Sequence, residues 1–272
     1  MLGPRSGRTH PDASRRPTIE LGARRTAPVR VTAVSVDEPW RELASDYETA
    51  RQRPDSLDRI LEWPMQQEVV GDPRGLRILD LGCGSGAKAV HWAHHGAAEV
   101  TGVDISGQFV PDPPGNVRLI SGDLSDPGAI DQVRDRVYDR ILFLQSLSYS
   151  TDQVHTLRCA RDLLAPQGRI IVQRSHPVRF AVERAEANGT SLGEEYYSAD
   201  PYQYASGWNP KVTLTRSTQT IADMLNAFAA AGLHIERAVE PQLTPEDRHR
   251  YPHKQRWLNK HLGVILFVLQ AV

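Results

Sequence analysis

The chain is poor in cysteine and in net charge, and it has no long apolar run. Two cysteines, Cys83 and Cys159, in 272 residues are too few for the disulfide framework that staples small secreted domains. Both are expected to be reduced, as in a cytoplasmic protein. The longest apolar run, residues 264–269, is strand-sized. It falls well short of the roughly 18 residues that a membrane-crossing helix needs, and no apolar leader opens the sequence; neither membrane insertion nor export is expected. A net charge of −1 supplies no field to recruit nucleic acid or an acidic membrane surface. His91, His94 and His95 fall at helical spacing, but no acid or cysteine pattern completes a metal site, so no metal is expected. What remains is 40% hydrophobic and 24% charged, ordinary for a soluble globular protein. The length suits one α/β domain with an appendage.

Charge is unevenly placed. Residues 1–36 hold seven arginines against two acids, with Pro, Gly, Ser and Thr and no hydrophobic period, the composition of a disordered basic tail. From Trp40 onward helical spacing begins, with Leu43, Tyr47, Leu57, Ile60 and Leu61. Short apolar strands then alternate with helices, the pattern of a parallel sheet. Residues 77–81, 99–104, 117–120, 138–144 and 169–173 read as strands, 87–95 and 153–164 as helices. The run Ile141–Leu144 is continuously apolar, as a strand covered on both faces should be. Residues 177–216 break the rhythm with Tyr196, Tyr197, Tyr202, Tyr204 and Trp208 among Gly, Asp, Ser and Pro; they read as a lid insert. A helix over 218–231, stopped by Gly232, precedes final strands at 233–239 and 262–269. The segment 245–257, dense in Arg, Lys and His, reads as a solvated surface loop.

The most informative stretch is Leu79-Asp80-Leu81-Gly82-Cys83-Gly84-Ser85-Gly86. It stands directly after a strand and before a helix, where a tight turn needs conformations that only glycine adopts cheaply and where free N–H groups meet a ligand. Dinucleotide folds use similar loops. Asp80, however, would repel a pyrophosphate and suits a cationic amino group. Asp104 ends the second strand, where a carboxylate accepts from both hydroxyls of a ribose. Gly122-Asp123-Leu124 follows the third, where an acid can take an adenine amine. Three acids at three successive strand ends suit adenosine joined to an amino acid, without phosphate.

These motifs resemble those of the class I (Rossmann-like) S-adenosylmethionine-dependent methyltransferases, in the small-molecule branch. The likeness runs over about residues 40–270. Residues 79–86 look like the first motif, Val103-Asp104-Ile105-Ser106 the second and Gly122-Asp123-Leu124 the third. Ser175-His176-Pro177, residues 218–228, Ala231-Gly232-Leu233 and Val239-Glu240-Pro241 add to the resemblance on the acceptor side. It implies a three-layer sandwich around a seven-stranded, mostly parallel sheet whose last two strands form an antiparallel pair. It implies S-adenosyl-L-methionine as cofactor and S-adenosyl-L-homocysteine as product. Asp80, Gly82 and Gly84, with Cys83 between them, would line the methionine part and Asp104 the ribose. Ile105, Gly122, Asp123 and Leu124 would surround the adenine. Gln145 and Ser146 would lie under the reactive end, and Tyr47 would cover the cofactor.

Methyl transfer from a sulfonium is an in-line displacement that demands alignment and dryness more than charged catalysts. Catalytic residues are therefore weakly encoded. His176 is a candidate base, and Glu194 and Tyr197 are further catalytic candidates. His176, Tyr196, Tyr202, Trp208 and Arg216 are candidates for the acceptor site. The reaction expected is methylation of a small-molecule, secondary-metabolite type of acceptor in biosynthesis, with a homo-oligomer open. Two alternatives stand beside it. One is a cofactor-binding fold used as a non-methylating cyclase or scaffold. The other is an RNA or protein methyltransferase, disfavoured because residues 145–148 read Gln-Ser-Leu-Ser rather than an amine clamp.

Overall fold

Side chains on the central strands alternate between two apolar layers, and that alternation positions everything else. The computed structural model describes residues 37–272 apart from Ser217; the basic tail expected over 1–36 lies outside the described residues. In β1 (Arg77–Leu81) Ile78, Leu79 and Leu81 are all fully buried. Ile78 joins one cluster with Met65, Trp92 and Leu142, while Leu79 and Leu81 join the opposite one with Phe143, Leu157 and Phe228. A strand whose residues point alternately into two cores must be covered on both faces.

The remaining strands are β2 (Glu99–Asp104), β3 (Val117–Ser121), β4 (Tyr138–Leu144), β5 (Leu164–Ser175), β6 (Tyr202–Ala205), β7 (Thr213–Arg216), β8 (Leu233–Val239) and β9 (Val264–Ala271). Seven form one sheet in the order β3-β2-β1-β4-β5-β9-β8. β1 to β5 are parallel, and β9 runs antiparallel to both β5 and β8. This is the Rossmann-like α/β sheet expected, its last two strands an antiparallel pair.

The helices are α1 (Asp37–Arg51), α2 (Trp63–Val70), α3 (Ala87–His94), α4 (Pro127–Asp131), α5 (Gln153–Arg161), α6 (Pro177–Asn188), α7 (Leu192–Tyr196), α8 (Ile221–Ala230), α9 (Pro245–Arg250) and α10 (Pro252–His261). α2 and α3 cover one face of the sheet, α4, α5 and α8 the other. The chain reaches the sheet edge at β3 and returns to its centre at β4, beside β1. The connections leaving β1 and β4 therefore part in opposite directions, and their carboxyl ends open a crevice.

Three boundaries differ from the sequence reading. β5 begins at Leu164, five residues early, because Gln167 takes a left-handed φ of 64° and lets the chain pair through Gly168. α8 begins at Ile221, where Thr220 and Asp223 close a capping box. Residues 245–261, expected to be loop over 245–257, form α9 and α10, with Thr244 capping α9 and Pro245 and Pro252 at the first turns. Residues 177–216 fold into α6, α7 and the antiparallel β6–β7 hairpin. No helix among the described residues is long and apolar enough to cross a membrane.

Candidate functional site

The crevice at the ends of β1 and β4 is a cleft of about 820 Å³, its open mouth included. Its floor is the turn after β1. Gly82 has φ 87° and packs so closely on Ser146 that a Cβ there would collide with that side chain. Its N–H donates to Val103 O at 2.7 Å, and the Cys83 N–H donates to the same oxygen at 3.1 Å, so the loop is drawn onto β2. Gly84 N–H donates to Asp104 Oδ2 at 2.8 Å. Asp104 Oδ1 accepts from the N–H and hydroxyl of Ser106 at 2.9 and 2.6 Å. Three donors thus aim one carboxylate into the cleft with lone pairs to spare.

Of the residues expected around a cofactor, Tyr47, Gly82, Gly84, Asp104, Ile105, Gly122, Asp123, Leu124, Gln145 and Ser146 line this cleft. Asp123 also caps its own turn, accepting from Ser125 N–H at 2.8 Å. Gln145 holds φ 72°, a strained conformation for a side-chain-bearing residue, directly after β4. Cys83 and Asp80 stand behind the lining. The Cys83 thiol packs toward β2, where a Cβ on Gly102 would meet Sγ at 2.7 Å, and burial pushes it well above the usual thiol range.

Asp80 is 2% exposed, and burial pushes its carboxyl up to about 7. Lys88 and Arg51 oppose that rise and Asp104 adds to it. Its Oδ1 is buried without a hydrogen-bond partner, and so is Arg51 Nε. Arg51 Nε lies 3.3 Å from Asp58 but out of line for a hydrogen bond. A buried carboxylate oxygen with no donor, within electrostatic reach of a guanidinium whose Nε has no in-line acceptor, suits a zwitterion. The α-amino acid end of S-adenosylmethionine supplies the ammonium and the carboxylate that would complete them.

Residues the sequence reading missed complete the wall: Trp40, Glu48, Ser85, Ser106, Leu144 and Tyr149. Glu48 Oε2 accepts from Ser85 Oγ at 3.1 Å and from Arg51 Nη1 at 3.2 Å, tying α1 to the glycine turn. Beneath it Lys88 Nζ donates to Asp58 Oδ1 at 2.7 Å and to Gln66 Oε1 at 2.6 Å. Gln173 donates at 2.5 Å to Glu62, whose carboxyl burial raises. Tyr47 and Arg51 sit four apart on α1, one face of a helix; that spacing was the available signal for Arg51.

The acceptor-side expectations fare differently. None of His176, Glu194 and Tyr197 lines the cleft. His176 is 2% exposed and caps α6: Nδ1 accepts from Val178 N–H at 3.2 Å and Nε2 contacts Glu240 Oε1 at 2.8 Å. Glu194 closes a capping box with Ser191 at the start of α7. Tyr197 is 72% exposed. Tyr196 Oη accepts from Ile221 N–H at 3.0 Å, outside the cleft. Tyr202 stacks on Tyr204 with centroids 5.1 Å apart. Trp208 packs on Tyr47 at 4.6 Å and on Trp40 at 6.2 Å, joining the hairpin to α1 beside the cleft. Arg216 is buried, and its Nη2 donates to Tyr149 Oη at 2.6 Å. Among the described residues no three His, Cys, Asp or Glu side chains converge as a metal cluster would require.

Fold and site together define an α/β protein that receives an adenosine-bearing amino acid at its strand ends. Comparison with known proteins narrows that class. Residues 79–172 match the Methyltransferase domain family. An uncharacterized protein of Haemophilus influenzae is 26% identical over 238 residues, covering 82% of this chain and 91% of its own length. The 27-O-demethylrifamycin SV methyltransferase of Amycolatopsis mediterranei is 32% identical over 103 residues, covering 35% of this chain and 37% of that enzyme. The fold is shared with an S-adenosylmethionine dependent methyltransferase from Mesorhizobium loti, with a TM-score of 0.59 and 21% identity over 76% of this chain and 96% of that one. Residues 79–172 thus carry a methyltransferase domain, and the fold around them is that of S-adenosylmethionine-dependent methyltransferases.

Proposed function

We propose that this enzyme methylates a small-molecule acceptor of the secondary-metabolite type, in biosynthesis and in the cytoplasm. The observation that carries this reading is the wall at the Gln145–Tyr149 end of the cleft. It is built from the aromatic rings of Trp40, Tyr47 and Tyr149, with Trp208 packed behind them. Flat apolar walls of this kind suit an organic acceptor, and the relative from Amycolatopsis is by its name a methyltransferase of 27-O-demethylrifamycin SV. Two unbridged cysteines suit a reducing compartment.

The cofactor supplies a methyl group on a sulfonium and leaves as S-adenosylhomocysteine. Asp80 and Arg51 hold its amino-acid end, Asp104 the ribose, and Ile105, Asp123 and Leu124 the base. Gln145 and Ser146, pinned by Gln173 O and Leu81 O respectively, orient the reacting end. Trp40, Tyr47 and the hairpin from β6 to β7 act as the lid that excludes water. His176, Glu194 and Tyr197 serve as helix cap, helix cap and surface residue, and the acceptor end falls instead to Tyr149 and Gln145.

Equilibrium titration with S-adenosylhomocysteine and with NAD, using Asp104→Ala as control, tests the cofactor part. Micromolar binding of the thioether, lost in the variant, is expected; binding of NAD alone would refute it. Release of S-adenosylhomocysteine with a panel of phenols, amines and carboxylic acids tests the transfer. A protein that binds the cofactor and releases none across the panel would belong with the cyclase or scaffold reading.

A further inference from the structure

Buried charges need partners, and two arginines here lack them. Arg184, 8% exposed, pairs with Glu195 at 2.7 Å. Arg174 and Arg216 are as deeply buried, at 7% and 8%, yet neither forms an ion pair with a carboxylate among the described residues. Arg174 Nη1 donates to the neutral amides of Gln153, at 2.9 Å, and Gln219. Arg216 Nη1 donates to Ser175 Oγ at 3.1 Å and Nη2 to Tyr149 Oη at 2.6 Å, and Nε is buried with no acceptor. The rings of Phe180, Tyr149 and Tyr204 lie 5.1, 5.3 and 5.4 Å from its guanidinium. Their faces offset part of the desolvation but bring no net charge. The strain registers on Arg174, which burial and its neighbour Arg216 bring down to about 10.

The pair stands where it matters. Arg174 and Ser175 end β5, and Arg216 ends β7. Arg216 reaches the cleft wall twice, through Tyr149 and through Ser175, whose hydroxyl donates to Gln145 Oε1 at 3.3 Å. A bound sulfonium would add a third positive charge to this end. Such a concentration of cations is completed by an anion that the described residues do not supply.

We propose that the acceptor presents an ionised oxygen (phenolate, enolate or carboxylate) on a planar body, and that Tyr149, held and polarised by Arg216 with Arg174 behind it, receives that oxygen. The inference rests on the methyl-transfer reading above. Because Tyr149 Oη accepts from Arg216, its own hydrogen is left to donate to the acceptor. The rings of Tyr149, Trp40 and Tyr47, which line the cleft, give a planar body surfaces to stack on. Where the ionised oxygen is itself methylated, its O–C bond forms as the C–S bond breaks and that electron pair goes to sulfur. One negative and one positive charge vanish together, and no proton remains to be moved. Arg216 is then a positioning residue, acting through Tyr149.

The test uses protein saturated with S-adenosylhomocysteine and three probes: 4-nitrophenol, benzoate and uncharged benzamide. Bound 4-nitrophenol is expected to ionise about one pH unit below the free compound, read from its visible absorbance, or benzoate to bind about tenfold tighter than benzamide. The first result alone assigns the phenolate or enolate chemistry, the second alone the carboxylate. Arg216→Met should erase the preference while leaving S-adenosylhomocysteine affinity in place, which also certifies the fold; Arg216→Lys should restore part of it. The proposal is overturned if neither preference exists, or if the preference survives Arg216→Met. Failure of the unaltered protein to bind S-adenosylhomocysteine would remove the methyl-transfer reading, and this one with it.

Discussion

Replacing Asp80 by Asn separates what the carboxylate costs the fold from what it does for the cofactor. Asp80 is 2% exposed, and its carboxyl is held at about 7 against the usual 3.8, chiefly by burial. Each tenfold displacement of a proton equilibrium corresponds to 1.36 kcal/mol, so keeping this group ionised in the empty protein costs about 4 kcal/mol. The sign follows from linkage. A raised carboxyl favours the fold while protonated, so its contribution is full below the ordinary carboxyl value, 3.8. That contribution is lost as pH rises through about 7. Asn resembles the protonated acid at every pH. Urea unfolding of the cofactor-free protein should show the unaltered chain losing stability between pH 5 and pH 8.5 and Asp80→Asn losing less, with a gain at the alkaline end of up to about 4 kcal/mol. The same variant should bind S-adenosylhomocysteine about a hundredfold more weakly, since the ammonium would face a neutral amide. In the unaltered protein, affinity should fall about tenfold per pH unit below about 7 as the carboxylate is lost. A variant equally stable at both pH values relative to the unaltered chain, and still binding tightly, would refute the assignment of both the burial cost and the ammonium contact.

Three further outcomes follow from the same geometry. Gly82→Ala adds a Cβ that collides with Ser146 at a φ of 87°, so both a loss of about 2–4 kcal/mol in urea unfolding and a weaker cofactor titration are expected. Phe143→Ala removes a fully buried ring from the layer packed on Phe228 and Leu157; about 3–5 kcal/mol should be lost, with S-adenosylhomocysteine affinity in the surviving folded protein nearly unchanged. Arg51→Met keeps the stem of the side chain and removes the buried Nε that has no in-line acceptor, and calorimetry should read a cofactor affinity about tenfold lower or more.

The cofactor half was legible because its constraints are local. The turn over residues 82–86, between β1 and α3, must have glycines, and the acids proposed to serve the ligand sit at strand ends that alternation alone locates. Even Asp80, which does not line the cleft, was marked by standing next to that turn. Arg51 and Glu48 were less visible. They belong to α1, whose pairing with the glycine turn through Ser85 spans 37 residues and leaves no pattern in either segment. Boundaries failed where one side chain decides them: the left-handed Gln167 that lengthens β5, and the threonines that cap α8 and α9.

The acceptor half was illegible for a physical reason. His176, Glu194 and Tyr197 were chosen for their chemistry, but a side chain's chemistry is available only if the fold leaves it free. His176 spends one nitrogen on capping α6 and the other on Glu240; Glu194 is consumed by its own helix start. The residues proposed for the reacting end gain their character by meeting across the chain. Tyr149 is an ordinary aromatic until Arg216, 67 residues later, donates to it, and Arg216 is an ordinary strand-end cation until β7 buries it against Ser175 and three rings. Charge without a partner is then the usable signal. Asp80, whose Oδ1 has no donor, describes an ammonium, and Arg174 with Arg216 describes an anion. On the proposed reading the two stand at opposite ends of one site, and a sulfonium between them would have its methyl group directed toward the end that holds the acceptor's negative charge.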